Sequence, residues 1–292
     1  MKTVISASRR TDIPAFYMEW FIACISRGYF EVVNPYNRKM RRVSSTLEDV
    51  HTILFWSKNF DPFMAGGYGE RLKEQGYHLF FNFTVNSTSP LLEPNVPPLD
   101  DRLAQMTRLC RRFDGRAVNW RFDPICFYTA ESRSRRDNLD DFRRIADNAA
   151  AAGILRCITS FMDFYPKVLR RANKRPGFAF VDPGMDEKID ILTGLYHSLL
   201  DRGITLQLCC EKEIAALLPE DIDIRPGNCI SNDLLMHLYG GHLSLKQDSG
   251  QRKKLGCTCN VSIDVGSYDQ HPCYHNCLFC YANPSSKKST RP

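Results

Sequence analysis

The residues with the most chemical promise crowd the end of this chain. Cys273-Tyr-His-Asn-Cys277-Leu-Phe-Cys280 places three thiols in a C-x3-C-x2-C spacing, followed by Tyr281-Ala282-Asn283. Three thiolates this close in sequence can wrap one corner of a cubane iron-sulfur cluster, each sulfur binding a different iron. A redox cluster ordinarily takes four protein thiolates. A set of three therefore leaves one iron open to another ligand, as catalytic zinc keeps an open position. The same spacing admits a zinc site completed by His271 or His275. Phe279 and Tyr281 would shield a cluster from water, and Tyr274 and Tyr281 are placed to cover it.

A second group of thiols precedes this loop. The chain has 12 cysteines, and Cys209, Cys210, Cys229, Cys257 and Cys259 also fall in its last third. In a reducing compartment such crowding points to metal or catalysis rather than disulfides. Cys210, Cys229, Cys257 and Cys259 make a complete four-thiolate set for an auxiliary [4Fe-4S] cluster or a structural zinc, with Cys209 as a spare. The plainer alternative makes Cys209 and Cys229 buried bystanders. Cys24, Cys110, Cys126 and Cys157 lie scattered in apolar segments and read as small core residues.

These residues belong to a chain of ordinary globular composition: 292 residues, 43% apolar, 25% charged and 11% aromatic. Its formal net charge of +6 suits an anionic substrate or cofactor without establishing nucleic-acid binding. No apolar run is long enough to span a membrane, and MKTVISASRRTDIP has charges and a proline where a signal peptide would be apolar, so a soluble cytoplasmic protein is expected. A phosphate-binding GxxxxGK[ST] loop, HExxH and a serine-nucleophile motif are all absent from the sequence. His78, His197, His237 and His242 have no spacing that makes a metal triad.

The elements that must position the thiols alternate. Short β-branched or aromatic runs at Thr3 to Ala7, Thr52 to Trp56, His78 to Thr84, Ala117 to Phe122, Leu155 to Phe161 and Thr205 to Cys209 read as doubly buried strands. Helical patterns lie between them: Asp12 to Gly28, Asp61 to Gly76, Leu99 to Phe113, Leu139 to Ala152 and Asp186 to Asp201. With a late strand at Asn260 to Val265, this alternation predicts an α/β fold: a closed or partial (β/α) TIM-like barrel with a C-terminal cysteine-rich cluster loop. A hairpin is expected at Tyr29 to Val43, and loops at Ser87 to Pro98 and Arg171 to Gly184. The expected division is a barrel body over 1–208, a cysteine-rich part completing it over 209–283, and a disordered tail over 284–292.

In such a barrel the chemistry lies at the C-terminal ends of the strands. Arg9 and Arg10 follow the first strand, and Arg121 with Asp123 ends the fourth. The arginine forks suit a carboxylate or phosphate. The alternatives are a structural ion pair for Arg121 with Asp123, a solvated loop for Arg9 and Arg10, and a helix cap for Asp12.

The cysteine loop resembles that of the radical SAM enzymes, which has this C-x3-C-x2-C form with an aromatic residue before the third cysteine. From SASRRTDIP through WRFDP to CYHNCLFCYAN, the chain also resembles an uncharacterised bacterial domain-of-unknown-function family with a radical-SAM-like cysteine cluster at its C-terminus. In ordinary radical SAM enzymes the loop follows the first barrel strand. Here it would follow the last, which implies a circularly permuted barrel in which Thr3 to Ala7 neighbours Asn260 to Val265. The sequence departs from the family in having no Gly-Gly-Glu signature after a strand, and Gly66-Gly67-Tyr-Gly69-Glu70 reads as a loop beside a helix.

The resemblance implies a [4Fe-4S] cluster on Cys273, Cys277 and Cys280, S-adenosylmethionine (SAM) as cofactor, and an electron donor such as ferredoxin or flavodoxin. The expected activity is generation of a 5′-deoxyadenosyl radical that abstracts hydrogen from an unknown substrate, anionic or nucleic acid in character. Two alternatives stand beside it. One is a SAM-independent [4Fe-4S] lyase or sulfur-transfer enzyme using the open iron, and the other is a zinc-stapled nucleic-acid-binding module.

Overall fold

The computed structural model describes residues 1–34, 37–130 and 134–282; the tail expected from 284 onward lies outside them. The chain opens with β1 (Thr3–Ala7), a helix broken at Tyr17 into α1 (Ile13–Phe16) and α2 (Met18–Arg27), and an antiparallel hairpin of β2 (Tyr29–Val33) and β3 (Met40–Ser44). Next come β4 (Val50–Ser57), α3 (Asp61–Ala65), α4 (Tyr68–Glu74), β5 (His78–Thr84) and α5 (Leu99–Phe113). They lead to β6 (Val118–Ile125), β7 (Phe127–Thr129), β8 (Arg135–Asp137), α6 (Phe142–Ala151) and β9 (Arg156–Phe161). The last third holds α7 (Pro166–Ala172), β10 (Ala179–Val181), α8 (Met185–Leu200), β11 (Thr205–Leu208), α9 (Lys212–Ala215), β12 (Arg225–Pro226), α10 (Asn232–Tyr239) and β13 (Ile263–Asp264).

Among the described residues the main sheet has eight strands in the order β12-β11-β9-β6-β5-β4-β1-β13, and every neighbouring pair is parallel. Strands β1 to β12 of this sheet therefore succeed one another in chain order, and β13 returns to the far side of β1. Ile5 pairs with Ile263 and Ser6 with Asp264, the neighbour relation expected from the sequence. The fold is mixed α/β around a large parallel sheet. The edge strands β12 and β13 share no ladder, so closure by strand pairing is not seen. The physical reason is length, since each spans only two residues. A single backbone bond from Asn260 N to Ile230 O (2.9 Å) joins the chain between these edges.

The strands are buried on both faces, as parallel sheets require. Phe21, Phe55, Phe63, Phe81 and Phe113 interlock between the first strands and their helices, with ring centres 5.0–6.1 Å apart. The helix boundaries follow local chemistry. Asp12 accepts from Ala15 N ahead of Pro14, and Gly28 closes α2 in the left-handed conformation.

Three features depart from the sequence reading. The Asp61 to Gly76 helix is two helices with a corner at Gly66 and Gly67. The Arg171 to Gly184 stretch is not wholly loop, because it begins inside α7 and contains β10. Finally, β10, β7 and β8 form a small antiparallel sheet with strands of three residues, too short to show a periodicity. Among the described residues no helix is long and apolar enough to cross a membrane.

Candidate metal centre

Because β13 lies parallel to β1, the cysteine loop that follows it emerges at the same end of the sheet as the segment after β1. Asp264 secures this seam. Its carboxylate accepts from Arg9 N (2.7 Å), Ser8 Oγ (2.6 Å) and Ser6 Oγ (3.2 Å). Arg10 Nη1 donates to the Gly266 carbonyl at 2.9 Å, so this side chain ties the two segments together.

The loop is gripped from four directions by groups other than its thiols. Tyr17 Oη donates to the Pro272 carbonyl (2.6 Å), and Phe16 packs on Tyr274 and His275. Asp12 bonds His275 Nε2 at 2.8 Å while also accepting from Ser57 Oγ and Lys58 N. In the segment after β5, Asn95 Nδ2 donates to the Tyr274 carbonyl (2.8 Å), and the Leu92 carbonyl accepts from Leu278 N (2.8 Å). On the remaining side, the Arg171 guanidinium of α7 donates to the carbonyls of Leu278 (2.7 Å) and Cys280 (2.5 Å). Tyr281 Oη donates to the Arg9 carbonyl at 2.9 Å, which returns the loop to the end of β1.

All twelve cysteines are free thiols. Burial pushes the Cys273, Cys277 and Cys280 thiols up, with Asp12 adding to this at Cys273 and Glu93 at Cys277, while backbone N–H groups and nearby cations oppose it. Backbone N–H groups of His275 and Asp12 donate to the Cys273 sulfur, and that of Ala282 to Cys280. Cys277 has no such donor but faces the Lys58 ammonium. Lys58 is paired with Glu93 at 2.5 Å and lies 5.3 Å from the Phe279 ring centre. N–H donors and a buried cation around sulfur are what a thiolate-bound anionic cluster needs. His275 has both ring nitrogens engaged, with Asp12 and with the Asn95 carbonyl. His271 Nδ1 accepts from Ser267 N, and its ring lies 4.2 Å from that of Trp20.

The second set of thiols forms a ring. Cys209 Sγ is 3.6 Å from Cys210 Sγ and 3.9 Å from Cys229 Sγ, and Cys257 and Cys259 lie close enough to Cys210 and Cys229 to act on their thiols. Cys209 lies within the constellation beside the set of four, because β11 ends one residue before it and delivers both vicinal thiols. Cys210 has a φ of 63°, a left-handed conformation costly for a residue with a Cβ. Cys259 is the ring's shared acceptor. Hydrogen bonds from Cys229 and Cys257 hold its thiol well below the ordinary range. Among the described residues no group of three or more His, Cys, Asp or Glu is arranged to hold a single metal ion.

Three arginines surround this ring. Arg121 Nη1 reaches Cys229 Sγ at 2.5 Å and its Nη2 bonds Asp123, which also accepts from Ser160 Oγ. The ion pair weighed for Arg121 and Asp123 is therefore present, and it aims the guanidinium at a sulfur. Arg252 acts on Cys210 and Cys209 while bonding Asp163. Arg9 acts on Cys259 and Cys229, is half-buried, and keeps a buried Nη2 without a hydrogen-bond partner. The guanidinium carbons of Arg9 and Arg121 each lie 5.2 Å from the Trp56 ring centre, and the indole donates to Ser6 Oγ. Trp120, by contrast, is fully buried core.

Sequence reasoning missed Glu93, Arg171, Arg252 and Asp264 as site residues, and reached Lys58 only as one of the polar groups at the end of the second strand. Lys58 and Asp264 had a signal in their position at strand ends. Glu93, Arg171 and Arg252 come from irregular or unanticipated segments and had none.

Fold and site together define a parallel-sheet α/β protein with two thiol constellations at the end of its strands. The chain belongs to the DUF1848 family, described as a domain of unknown function, whose sequence profile matches residues 4–282. No curated protein matches it. Among solved structures it is similar to the carboxyl transferase domain of Rhizobium etli pyruvate carboxylase with pyruvate and biocytin, at 10% identity and a TM-score of 0.34. A single-residue variant of that domain with pyruvate gives 11% and 0.33. Both alignments cover 98% of this chain and 42% of the other, so this chain spans less than half the length of either.

Proposed function

We propose that this protein is a radical SAM-like iron-sulfur enzyme on a partly closed, circularly permuted (β/α) barrel. The observation that carries the reading is the parallel pairing of β13 with β1, which brings the C-x3-C-x2-C loop to the strand ends. In this reading Cys273, Cys277 and Cys280 hold a [4Fe-4S] cluster with one iron open. The donor set suits that group: three free thiols, one buried and two half-buried, with backbone N–H groups lowering two of them and an ammonium beside the third.

When bound, the cluster and SAM supply one-electron cleavage to methionine and a 5′-deoxyadenosyl radical that takes hydrogen from substrate. The chain's own residues bind, orient and exclude water. Asp12, Asn95 and Arg171 fix the loop, Phe279 and Tyr281 keep water from it, and Lys58 balances thiolate charge. Cys210, Cys229, Cys257 and Cys259 hold a second [4Fe-4S] cluster, or zinc, whose charge Arg9, Arg121 and Arg252 offset. Electrons come from a donor such as ferredoxin or flavodoxin.

A second reading keeps the open iron and discards SAM, giving a lyase or a sulfur-transfer enzyme. It is favoured by the place of Gly66 to Glu70, which turns the corner between α3 and α4 with Gly69 against Phe63 and Phe113. Anaerobic purification, iron and sulfide quantification and electron paramagnetic resonance, followed by addition of SAM to the reduced protein, separate the two. A spectral change with release of 5′-deoxyadenosine is expected. An intact cubane indifferent to SAM supports the second reading, and zinc without iron removes both in favour of the zinc-stapled module.

A further inference from the structure

The short helix α7 packs against the three-thiol loop, and its two faces differ sharply. The inner face supplies Val168 and Ala172 to the same buried cluster as Cys277, Leu278 and Phe279, while Arg171 bonds the loop's carbonyls. Arg175, just past the helix, is likewise committed, donating to the Leu91 carbonyl at 3.0 Å.

The outer face carries Lys167 and Arg170, three residues apart, and Lys174 follows in the turn just past the helix; all three are exposed. None of these three takes part in an ion pair among the described residues. From Phe164 to Val181 the chain has five cations and not one carboxylate, in a protein whose overall excess is only +6. Phe164 stands exposed at the edge of this row.

We propose that the outer face of α7 is the docking surface for an acidic one-electron donor protein. The inference rests on the iron-sulfur reading of Cys273, Cys277 and Cys280. A nucleic-acid substrate must reach the reacting groups at the strand ends. An electron donor needs only a short path to the loop, and α7, packed against it, turns its cations outward. Redox encounters are small and transient, so a row of three charges with an apolar neighbour is an adequate footprint. Complementary charge there sets the association rate more than the affinity. The step is a bare electron transfer. The donor's flavin hydroquinone loses one electron, the oxidised cluster gains it, and no bond forms or breaks.

The test compares the wild-type holoprotein with Lys167→Glu/Arg170→Glu/Lys174→Glu and with the triple glutamine variant, using reduced flavodoxin as probe and dithionite as a small reductant. Cluster bleaching is followed by stopped-flow absorbance. With flavodoxin, the glutamate variant is expected to be reduced at least about tenfold more slowly at low salt, with the glutamine variant between. Raising salt from about 20 to about 300 mM should slow the wild type, leave the glutamine variant nearly unchanged and speed the glutamate variant. Dithionite should reduce all three alike. Equal flavodoxin rates in proteins that dithionite reduces normally would overturn the docking proposal alone. No reduction of any protein by dithionite would overturn the cluster reading and the proposal with it. Salt-sensitive capture of a single-stranded oligonucleotide, lost in the glutamate variant while flavodoxin reduction persists, would reassign the face to nucleic acid.

Discussion

Arg171 is fastened to Cys280 through the backbone: its Nη2 donates to the Cys280 carbonyl at 2.5 Å, and the same nitrogen reaches the Leu278 carbonyl at 2.7 Å. One planar guanidinium therefore fixes the last turn of the three-thiol loop without touching a sulfur. Arginine can do this because its donors lie in a rigid fork.

Arg171→Ala should loosen the loop and lower cluster affinity by about 10- to 100-fold, the usual effect of removing a group that orients a metal ligand. Iron and sulfide retained after mild chelation measure it. Arg171→Lys should recover part of the loss, because an ammonium can replace the Nη2 donor but not the second bond from Nε to the Leu278 carbonyl (3.2 Å) or the planar fork that holds them. Retention identical to wild type in the alanine variant would show that the remaining contacts suffice.

The C-x3-C-x2-C loop and the alternating strands were legible in the sequence because spacing and apolar runs are local properties. The seam between β1 and β13 was reachable by counting elements. Three things were hidden. Cys209 reads as a spare in sequence, and its place beside the set of four emerges only when β11 stops at Leu208 and Cys210 adopts a left-handed backbone. Arg171 acts from a helix whose seven residues are too few to establish a period. Arg10 looks like an anion-binding fork but donates to the Gly266 carbonyl. Such roles depend on contacts between residues far apart in the chain, which composition and periodicity do not encode.

The seam has a steric requirement at Gly266. A Cβ added there would lie 2.2 Å from Ser8 Oγ, and Ser8 cannot rotate away without losing its bond to Asp264 and the one it accepts from Arg10 N. Gly266→Ala should therefore destabilise by about 1–3 kcal/mol, as overpacking does. Thermal denaturation should register a drop of roughly 2–4 °C per kcal/mol. Gly184→Ala, where a Cβ meets nothing within 4 Å, is the control and should leave the midpoint in place. Equal midpoints for the two variants would contradict the steric argument.

Stability should also depend on pH at the opposite end of the sheet. His78 lies in a cavity with Lys2, His51, His242 and Tyr239, its ring stacked on Tyr239 at 4.6 Å. Burial, then the nearby His51 and Lys2, hold its pKa below the ordinary 6.5. The unfolded chain therefore takes up a proton before the folded one. The contribution of His78 is complete above pH 6.5 and is lost as pH falls through the folded-state value. In denaturant titrations, His78→Gln should flatten part of the stability loss between about pH 7 and pH 5. A wild-type profile parallel to that of the variant would exclude the linkage.

The partition of the thiols into two sites can be tested by removing one from each. If three thiolates hold one cubane and four hold another, the intact protein carries about eight irons, and Cys277→Ala or Cys259→Ala should each leave about four. The two variants should differ in kind. Cys259→Ala should keep the signal that responds to SAM, and Cys277→Ala should lose it. Cys209 is the discriminating position within the ring. Its sulfur touches Cys210 and Cys229, yet a cubane needs only the other four, so Cys209→Ala should keep about eight irons and alter only the signal of the second site. Loss of about four irons on this substitution would make Cys209 a ligand and exclude one of the four thiols assigned to the site. Complete loss of iron from every variant would contradict two independent sites, because neither loop would then hold its cluster without the other.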